Sequence, residues 1–178
     1  MKKALGFMTL LSLLLVCFSS CSGYNKIMRN HLSNPENYQT YQATLVDIFY
    51  YDSASNQSLR DFENDRFLNF DVIISVRFDN YDDVSDFLGG RPNTDILLEE
   101  YDVRLCIPSS NSKILYENGF YNNVSLGDKI KVTSSAWIYM DGNFFYVSQI
   151  EHEGTVYLDS EDGLKNIIDM MNKNKSIF

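Results

Sequence analysis

Alternating apolar and polar positions recur along the chain after residue 38, and they predict a mainly β protein. Residues 67–78 show this pattern most clearly. Successive side chains of a strand point to opposite faces, so this segment has one apolar face and one wetter face that carries Asn69, Asp71 and Ser75. The apolar positions that repeat at every second residue are Leu68, Phe70, Val72, Ile74, Val76 and Phe78.

Other segments rich in β-branched and aromatic residues predict further strands. They cover residues 40–51, 101–107, 129–135, 137–140, 143–150 and 155–158. Asp141-Gly142 stands between two aromatic runs, which is typical of a tight β-hairpin. Residues 52–65 are polar and predict a loop, and Pro108 ends the strand that precedes it.

Two segments predict helices, and a short helical turn is expected near Ile27 to Leu32 in the polar stretch before residue 38. Residues 109–119 begin with Ser109 or Ser110 as the expected N-terminal cap and end at Asn118-Gly119, which favours a left-handed stop. Residues 159–173 predict a terminal helix with Ser160 as its cap. Helical spacing places four apolar residues on one face of it, namely Leu164, Ile167, Ile168 and Met171.

The N-terminus reads as a secretory signal and not as part of the fold. Lys2 and Lys3 precede an apolar run over residues 4–16, and small residues follow before Cys21. A membrane-spanning helix is the alternative. Such a helix over residues 4–18 has fifteen residues, which at ~1.5 Å each cover roughly 22 Å and fall short of the ~30 Å hydrocarbon core. Cleavage is therefore the preferred interpretation.

The sequence Phe18-Ser19-Ser20-Cys21 resembles the bacterial lipobox, in which two small residues precede a lipidated cysteine. The resemblance implies cleavage after Ser20 and a diacylglycerol thioether on Cys21. Two acyl chains give stable anchoring, whereas one gives weak reversible binding. The membrane is then a partner through Cys21, and the chain lies on the extracytoplasmic face of the cell membrane. A plain secreted protein is the alternative.

These observations divide the chain into four parts: a signal peptide over 1–20, a flexible tether over 21–37, a β domain over 38–158, and a C-terminal helix and tail over 159–178. Removing 20 of the 178 residues leaves 158, which suits one domain with a real core. Cys106 is then the one thiol left besides Cys21, so no intramolecular disulfide is expected.

The charge of the mature chain argues against nucleic acid as a partner. Lys2 and Lys3 are the charged residues within the first 20, so their removal leaves 13 basic against 24 acidic residues, a net charge of −11. Nucleic-acid binding needs the opposite sign, because neutralising phosphates drives affinity. The lipid, and not the overall charge, must therefore hold the chain at the membrane.

The order β-β-β-α-β-β resembles the OB-fold, a small Greek-key barrel, over about residues 38–158. The resemblance is most concrete at Cys106-Ile107-Pro108, in the helix that ends at Gly119, and at residues 127–132. It implies a binding module, although a fold alone does not fix function. An open β-sandwich, or an α+β sheet carrying the last helix, is the alternative.

Catalytic and metal-binding patterns are absent from the sequence, so no cofactor and no metal are expected. His31 and His152 are the two histidines, and nothing in the sequence shows the spacing of the three or four convergent ligands that a zinc site needs. Cys106 in its strand predicts a buried, inert thiol. Two acidic stretches, over 79–83 and 95–102, are interpreted as solvated loops, and calcium binding is the less favoured interpretation.

Aromatic residues are the remaining signal. Tyr50, Tyr139 and Tyr146 predict an exposed platform that could stack on sugars or dock a protein, unless the terminal helix covers that face. We therefore expect a non-enzymatic envelope lipoprotein that acts as a binding or assembly module for an envelope protein or a glycan. The alternative is a hydrolase of peptidoglycan or polysaccharide with Asp71 as a candidate, which would need two carboxylates in one cleft. An immunity or stress lipoprotein cannot be separated from the first hypothesis by sequence.

Overall fold

The computed structural model describes residues 26–52, 57–59, 71–79, 102–139 and 142–173. For residues 50–52, 57–59, 136–139 and 142–144 the description covers the backbone and not the side chains. The predicted signal peptide and Cys21 therefore lie outside the described residues, as do residues 67–70 of the strand predicted over 67–78, most of the two acidic stretches, and the tail over 174–178.

Seven strands and four helices make up the described chain. The strands are β1 (Tyr38–Asp52), β2 (Gln57–Leu59), β3 (Asp71–Arg77), β4 (Asp102–Ile107), β5 (Lys129–Tyr139), β6 (Gly142–His152) and β7 (Thr155–Leu158). The helices are α1 (26–32), α2 (Ser109–Glu117), α3 (Phe120–Asn123) and α4 (Ser160–Lys173). A short 3-10 turn, Pro35–Asn37, joins α1 to β1.

All seven strands belong to one sheet, in the order β2-β1-β3-β4-β6-β5, with β7 on β6. Neighbours are antiparallel except β4 and β6, which are parallel. The long strand β1 pairs with β5 over residues 38–44 and with β3 over residues 44–51. Because β5 thus returns to β1, the sheet curls into a partly closed ring.

The main core lies on the apolar face of this ring. Val72, Ile74, Val76 and Phe78, predicted to share one face, are all at most 1% exposed. The opposite face of β3 is drier than its sequence suggests, since Ser75 is also buried. The prediction of a mainly β protein with a C-terminal helix is confirmed.

Strand β5 runs without a break through the two strands predicted over 129–135 and 137–140. It pairs with β6 from Lys131 to Tyr139, which confirms the hairpin, although Met140 and Asp141 at its tip lie outside the described residues. One irregularity interrupts this ladder. Thr133 pairs with Gln149 and Ser134 with Val147, so β6 carries one extra residue, Ser148. A bulge of this kind bends a strand locally.

Both predicted helix caps need correction. Helix α2 already includes Ser109, and the Ser109 N–H donates instead to Asp71 Oδ1 at 2.9 Å, from the first residue of β3. Helix α4 includes Ser160, and the Asp159 carboxylate accepts the Glu161 N–H at 2.8 Å. The predicted stop of α2 is present: Gly119 follows the helix at φ 78°, a left-handed value that glycine adopts without strain.

Residues 26–37, which the sequence places in a flexible tether, pack against the body. Met28 and Leu32 of α1 are buried in a second hydrophobic cluster with Tyr146, Ile167 and Met171. The Tyr38 hydroxyl also donates to the Leu32 carbonyl at 2.9 Å. The described part of the predicted tether therefore belongs to the folded domain, because successive turns of α1 bury Met28 and Leu32.

Candidate functional site

Helix α4 is held against β6 by a close backbone approach. A Cβ atom added to Gly163 would lie 1.9 Å from the carbonyl oxygen of Ser148, the bulged residue of β6. Any side chain at position 163 would force the helix away from the strand. The glycine and the bulge together fix the distance between α4 and the sheet.

A buried amide fixes the lateral position of α4. Asn111 of α2 is fully buried, and its Nδ2 donates to the carbonyls of Val147 and Gly163, each at 3.2 Å. Its Oδ1 accepts from Asn166 Nδ2 at 2.9 Å. Because a buried amide must satisfy its hydrogen bonds, these contacts tie α2, β6 and α4 to one another.

A cleft of about 330 Å³ opens between α4 and the start of α2. We call it the α2–α4 cleft. Pro108 and Met170 supply apolar contacts in its wall. Its polar groups are two carboxylates, an amine, an amide and two serines, from Asp71, Asp169, Lys173, Asn166, Ser109 and Ser110.

Asp71 is the half-buried carboxylate of this cleft. Burial raises its pKa, and the hydrogen bond from the Ser109 N–H opposes that rise in part. Desolvation favours the neutral form of a carboxyl group, whereas a donated hydrogen bond favours the ionised form. A carboxyl group poised in this way can accept a hydrogen bond, or give up a proton to a ligand.

The opposite wall comes from one side of α4. Asn166, Asp169 and Lys173 follow at spacings of three and four residues, which places them along one line of the helix. Two carboxylates thus line one cleft beside an amine and an amide. This set can hydrogen-bond a small ligand that carries hydroxyl or amino groups.

The predicted tyrosine platform needs correction at Tyr146. Its side chain is 9% exposed and packs beneath Ile167 and Met171 of α4, as the alternative interpretation required. Burial is the largest cause that raises its pKa, followed by the charges of Cys106, Asp71 and Tyr38. Tyr50 lies on β1 and Tyr139 at the end of β5, opposite Gly142, and both side chains are outside the described residues.

Cys106 lies on the outer face of β4, opposite Tyr146 of β6. Burial is the main cause that raises the pKa of its thiol, and the nearby Asp71 charge adds to the rise. An activated nucleophile needs the opposite shift, toward the thiolate. The environment of Cys106 therefore suits a packing role.

Both histidines make structural contacts. His31 Nε2 lies 3.1 Å from Ser135 Oγ, and His152 Nδ1 lies 2.9 Å from the Lys129 carbonyl oxygen. Of the acidic stretches, Asp79 pairs with Lys129, and Asp102 binds Arg77 through two hydrogen bonds of 2.6 and 2.8 Å. Among the residues that the structure describes, no group of three or more metal-binding side chains forms.

A smaller depression of about 250 Å³ lies beside the start of β5 and the end of β6. Lys131 and Glu151 face each other across it at 2.9 Å. Lys131 and Glu151 therefore neutralise each other, and Lys129 of the same depression pairs with Asp79. The α2–α4 cleft, by contrast, joins carboxylates from two separate elements, and it is the stronger candidate site.

Sequence reasoning named Asp71 and missed Asn166, Asp169 and Lys173. The spacing of these three on α4 was available as a signal, since it marks one polar line beside the apolar face. Whether these three side chains face a cleft depends on how α4 packs on the sheet. That packing depends on the contacts of Gly163 and Asn111.

Comparison with protein-family models, with curated proteins and with solved structures found no match. Over the described ranges, no helix combines the length and the apolar character needed to cross a bilayer.

Proposed function

We propose that this chain is a lipid-anchored envelope protein whose β domain binds a small polar ligand in the α2–α4 cleft. The anchor rests on the lipobox resemblance at Cys21, and the module is non-catalytic. Its ligand is a glycan fragment or a polar segment of another envelope protein.

The domain is proposed to be an OB-fold. Leaving out β2 and β7, the pairing path runs β1-β3-β4-β6-β5 and back to β1, with β4 and β6 parallel. Helices α2 and α3 connect β4 to β5, which are the third and fourth of these strands in chain order, and this is the place expected for a helix from the sequence. OB-folds bind oligonucleotides and oligosaccharides. The negative charge of this chain favours the second kind of ligand.

The composition of the α2–α4 cleft is the observation that carries the binding function. A volume of about 330 Å³ lies at the small end of ligand pockets, enough for one or two sugar rings or a few peptide atoms. Carboxylate, amide and hydroxyl groups offer paired donors and acceptors, which orient a polyhydroxyl ligand. Pro108 and Met170 offer apolar contact for a ring face.

Nuclear magnetic resonance titration with N-acetylglucosamine oligomers, or with soluble peptidoglycan fragments, tests this proposal. We expect shifts clustered at Asp71, Ser110 and Asp169, and their loss in Asp169→Lys. Glu161→Lys is the matched control, because Glu161 is an exposed carboxylate of the same helix outside the cleft. No shift with either probe, together with no partner retained from detergent-solubilised membranes, would contradict the proposal.

The anchor is tested separately by metabolic labelling with a fatty-acid analogue. Wild type should incorporate the label and float with membranes, and Cys21→Ala should do neither. An unprocessed and unacylated N-terminus, measured by mass spectrometry, would remove the anchor from the proposal.

A second candidate function is hydrolysis of an envelope polysaccharide. It is favoured by one observation, the presence of Asp71 and Asp169 in one cleft, with burial raising the pKa of Asp71 as a general acid requires. Release of reducing ends from peptidoglycan by wild type, and its loss in both Asp71→Asn and Asp169→Asn, would establish this function. Binding without release leaves the first proposal in place.

A further inference from the structure

Helix α1 presents a basic and apolar surface in a chain that is otherwise acidic. Lys26 is exposed, Ile27 is 61% exposed, and Arg29 is partly exposed. No acidic residue occurs between Lys26 and Glu36. The helix therefore carries a local charge opposite to that of the whole domain.

The buried face of α1 decides which of its residues point outward. Met28 and Leu32, four residues apart, pack into the body and define one line of the helix. Lys26 and Asn30 then occupy the opposite line, and Ile27 and Arg29 flank it. We call these four residues the outer face of α1.

Covalent geometry places this face near Cys21. Five residue steps separate Cys21 from Lys26, so their Cα atoms lie at most about 18 Å apart. Because α1 packs on the body through Met28 and Leu32, residues 26–37 do not add the reach of a flexible tether. An anchored Cys21 would thus hold the body close to the bilayer, on the α1 side.

We propose that the outer face of α1 rests on the anionic headgroup layer of the bilayer beside the anchor. This proposal rests on the proposed lipidation of Cys21. Lys26 and Arg29 meet lipid phosphates, and Ile27 enters the boundary between headgroups and acyl chains, where exposed apolar side chains of interfacial helices lie. The acidic remainder of the domain is repelled only weakly, because salt screens charges beyond ~8–10 Å.

Fluorescence quenching in vesicles tests this docking. The mature lipidated chain, purified from membranes, is labelled with an environment-sensitive fluorophore at Ile27→Cys or at Leu126→Cys. Leu126 is the matched control, since it is 58% exposed. Leu126 is next to Gly127, whose N–H donates to the Leu45 carbonyl. This places Leu126 at the end of the β1–β5 ladder that is far from Tyr38, whereas α1 precedes Tyr38. The unsubstituted chain, with its half-buried Cys106, gives the background.

In vesicles that contain phosphatidylglycerol and headgroup-quencher lipid, we expect several-fold stronger quenching at position 27 than at position 126. Replacing Lys26 and Arg29 by Gln, or the anionic lipid by phosphatidylcholine, should lower the ratio of docked to undocked protein about tenfold or more. Equal quenching at positions 27 and 126, on a chain that floats with the vesicles, would overturn the docking and leave the anchor intact. A wild-type chain that does not float would instead overturn the anchor itself.

Discussion

At the scale of residues, Gly163 and Asp71 show how one position can determine a site. Gly163 has no side chain, and this absence lets α4 lie against the Ser148 backbone of β6. Asp71 has two roles, because it supplies a cleft carboxylate and also accepts the first free N–H of α2. Neither role follows from the neighbours of these residues in sequence.

Gly163→Ala should lower the free energy of unfolding by about 1–3 kcal/mol, because the new methyl group would overlap the Ser148 carbonyl. Urea denaturation measures the change. Lys165→Ala, at an exposed position of the same helix, is the control and should stay within about 0.5 kcal/mol of wild type. Equal effects of the two substitutions would contradict the close approach.

Asp71→Asn should change how stability depends on pH. Burial raises the pKa of Asp71 above its ordinary value of 3.8, so the folded chain holds this proton more tightly than the unfolded chain. Its contribution to stability is therefore full below that value and is lost as pH rises through the folded pKa. Asn stays neutral and keeps an oxygen for the Ser109 N–H.

The free energy of unfolding of Asp71→Asn minus that of wild type should therefore increase as pH rises from about 4 to about 7. Urea denaturation of both chains at several pH values measures this difference. A difference that stays constant, or that decreases, would contradict a raised pKa at this carboxyl group.

At the scale of elements, the first N–H groups of α2 and α4 are not bonded by the serines that the sequence suggested as caps. Asp71 accepts the N–H of Ser109 in α2, and Asp159 accepts the N–H of Glu161 in α4. Asp159 precedes α4 directly, and the sequence could have indicated it as well as Ser160. The partner of α2 comes from β3, which no local pattern reveals. The apolar face of α4 was predictable in part, since Ile167 and Met171 are buried as their spacing required, whereas Leu164 and Ile168 are half-buried.

Asp159→Ala should destabilise the chain by about 1 kcal/mol, because the Glu161 N–H loses its acceptor. Ser160→Ala should change stability by less than about 0.5 kcal/mol. Thermal unfolding followed by circular dichroism measures both changes. A larger loss for Ser160→Ala than for Asp159→Ala would restore the cap that the sequence suggested.

At the scale of the whole molecule, β1 closes the ring by pairing with both β3 and β5, and the outer face of that ring is covered by α1 and α4. The α2–α4 cleft lies at the edge of the surface that α1 and α4 cover, because Met170 lines the cleft and also packs against the second hydrophobic cluster. The proposed ligand site is thus on the same side of the domain as the proposed membrane contact.

Leu32→Ala tests whether α1 belongs to the folded body. Leu32 is fully buried, so its truncation should cost about 2–5 kcal/mol of unfolding free energy, measured by chemical denaturation of the mature chain. Ile27→Ala, on the outer face of the same helix, should cost less than about 0.5 kcal/mol. If Leu32→Ala were as mild as Ile27→Ala, a flexible tether would be the better description.

The sequence by itself determined the strands other than β2, the hairpin and the terminal helix, because periods of two and of 3.6 residues reflect which side of an element is buried. Residues 72–78 and the apolar face of α4 illustrate this. The short strand β2 lies in the segment that the sequence predicted as a loop. The sequence also contains the resemblance to the lipobox, because a short peptide signal is recognised without a folded structure.

Only the tertiary structure decided that α1 is packed, that Tyr146 is covered, and that Asp71 and Asp169 share a cleft. These facts join residues that are far apart in sequence, and they depend on contacts such as Gly163 with Ser148 and Asn111 with Asn166. Periodicity indicates that a face is buried, but the identity of the element that covers it is set by packing between distant segments.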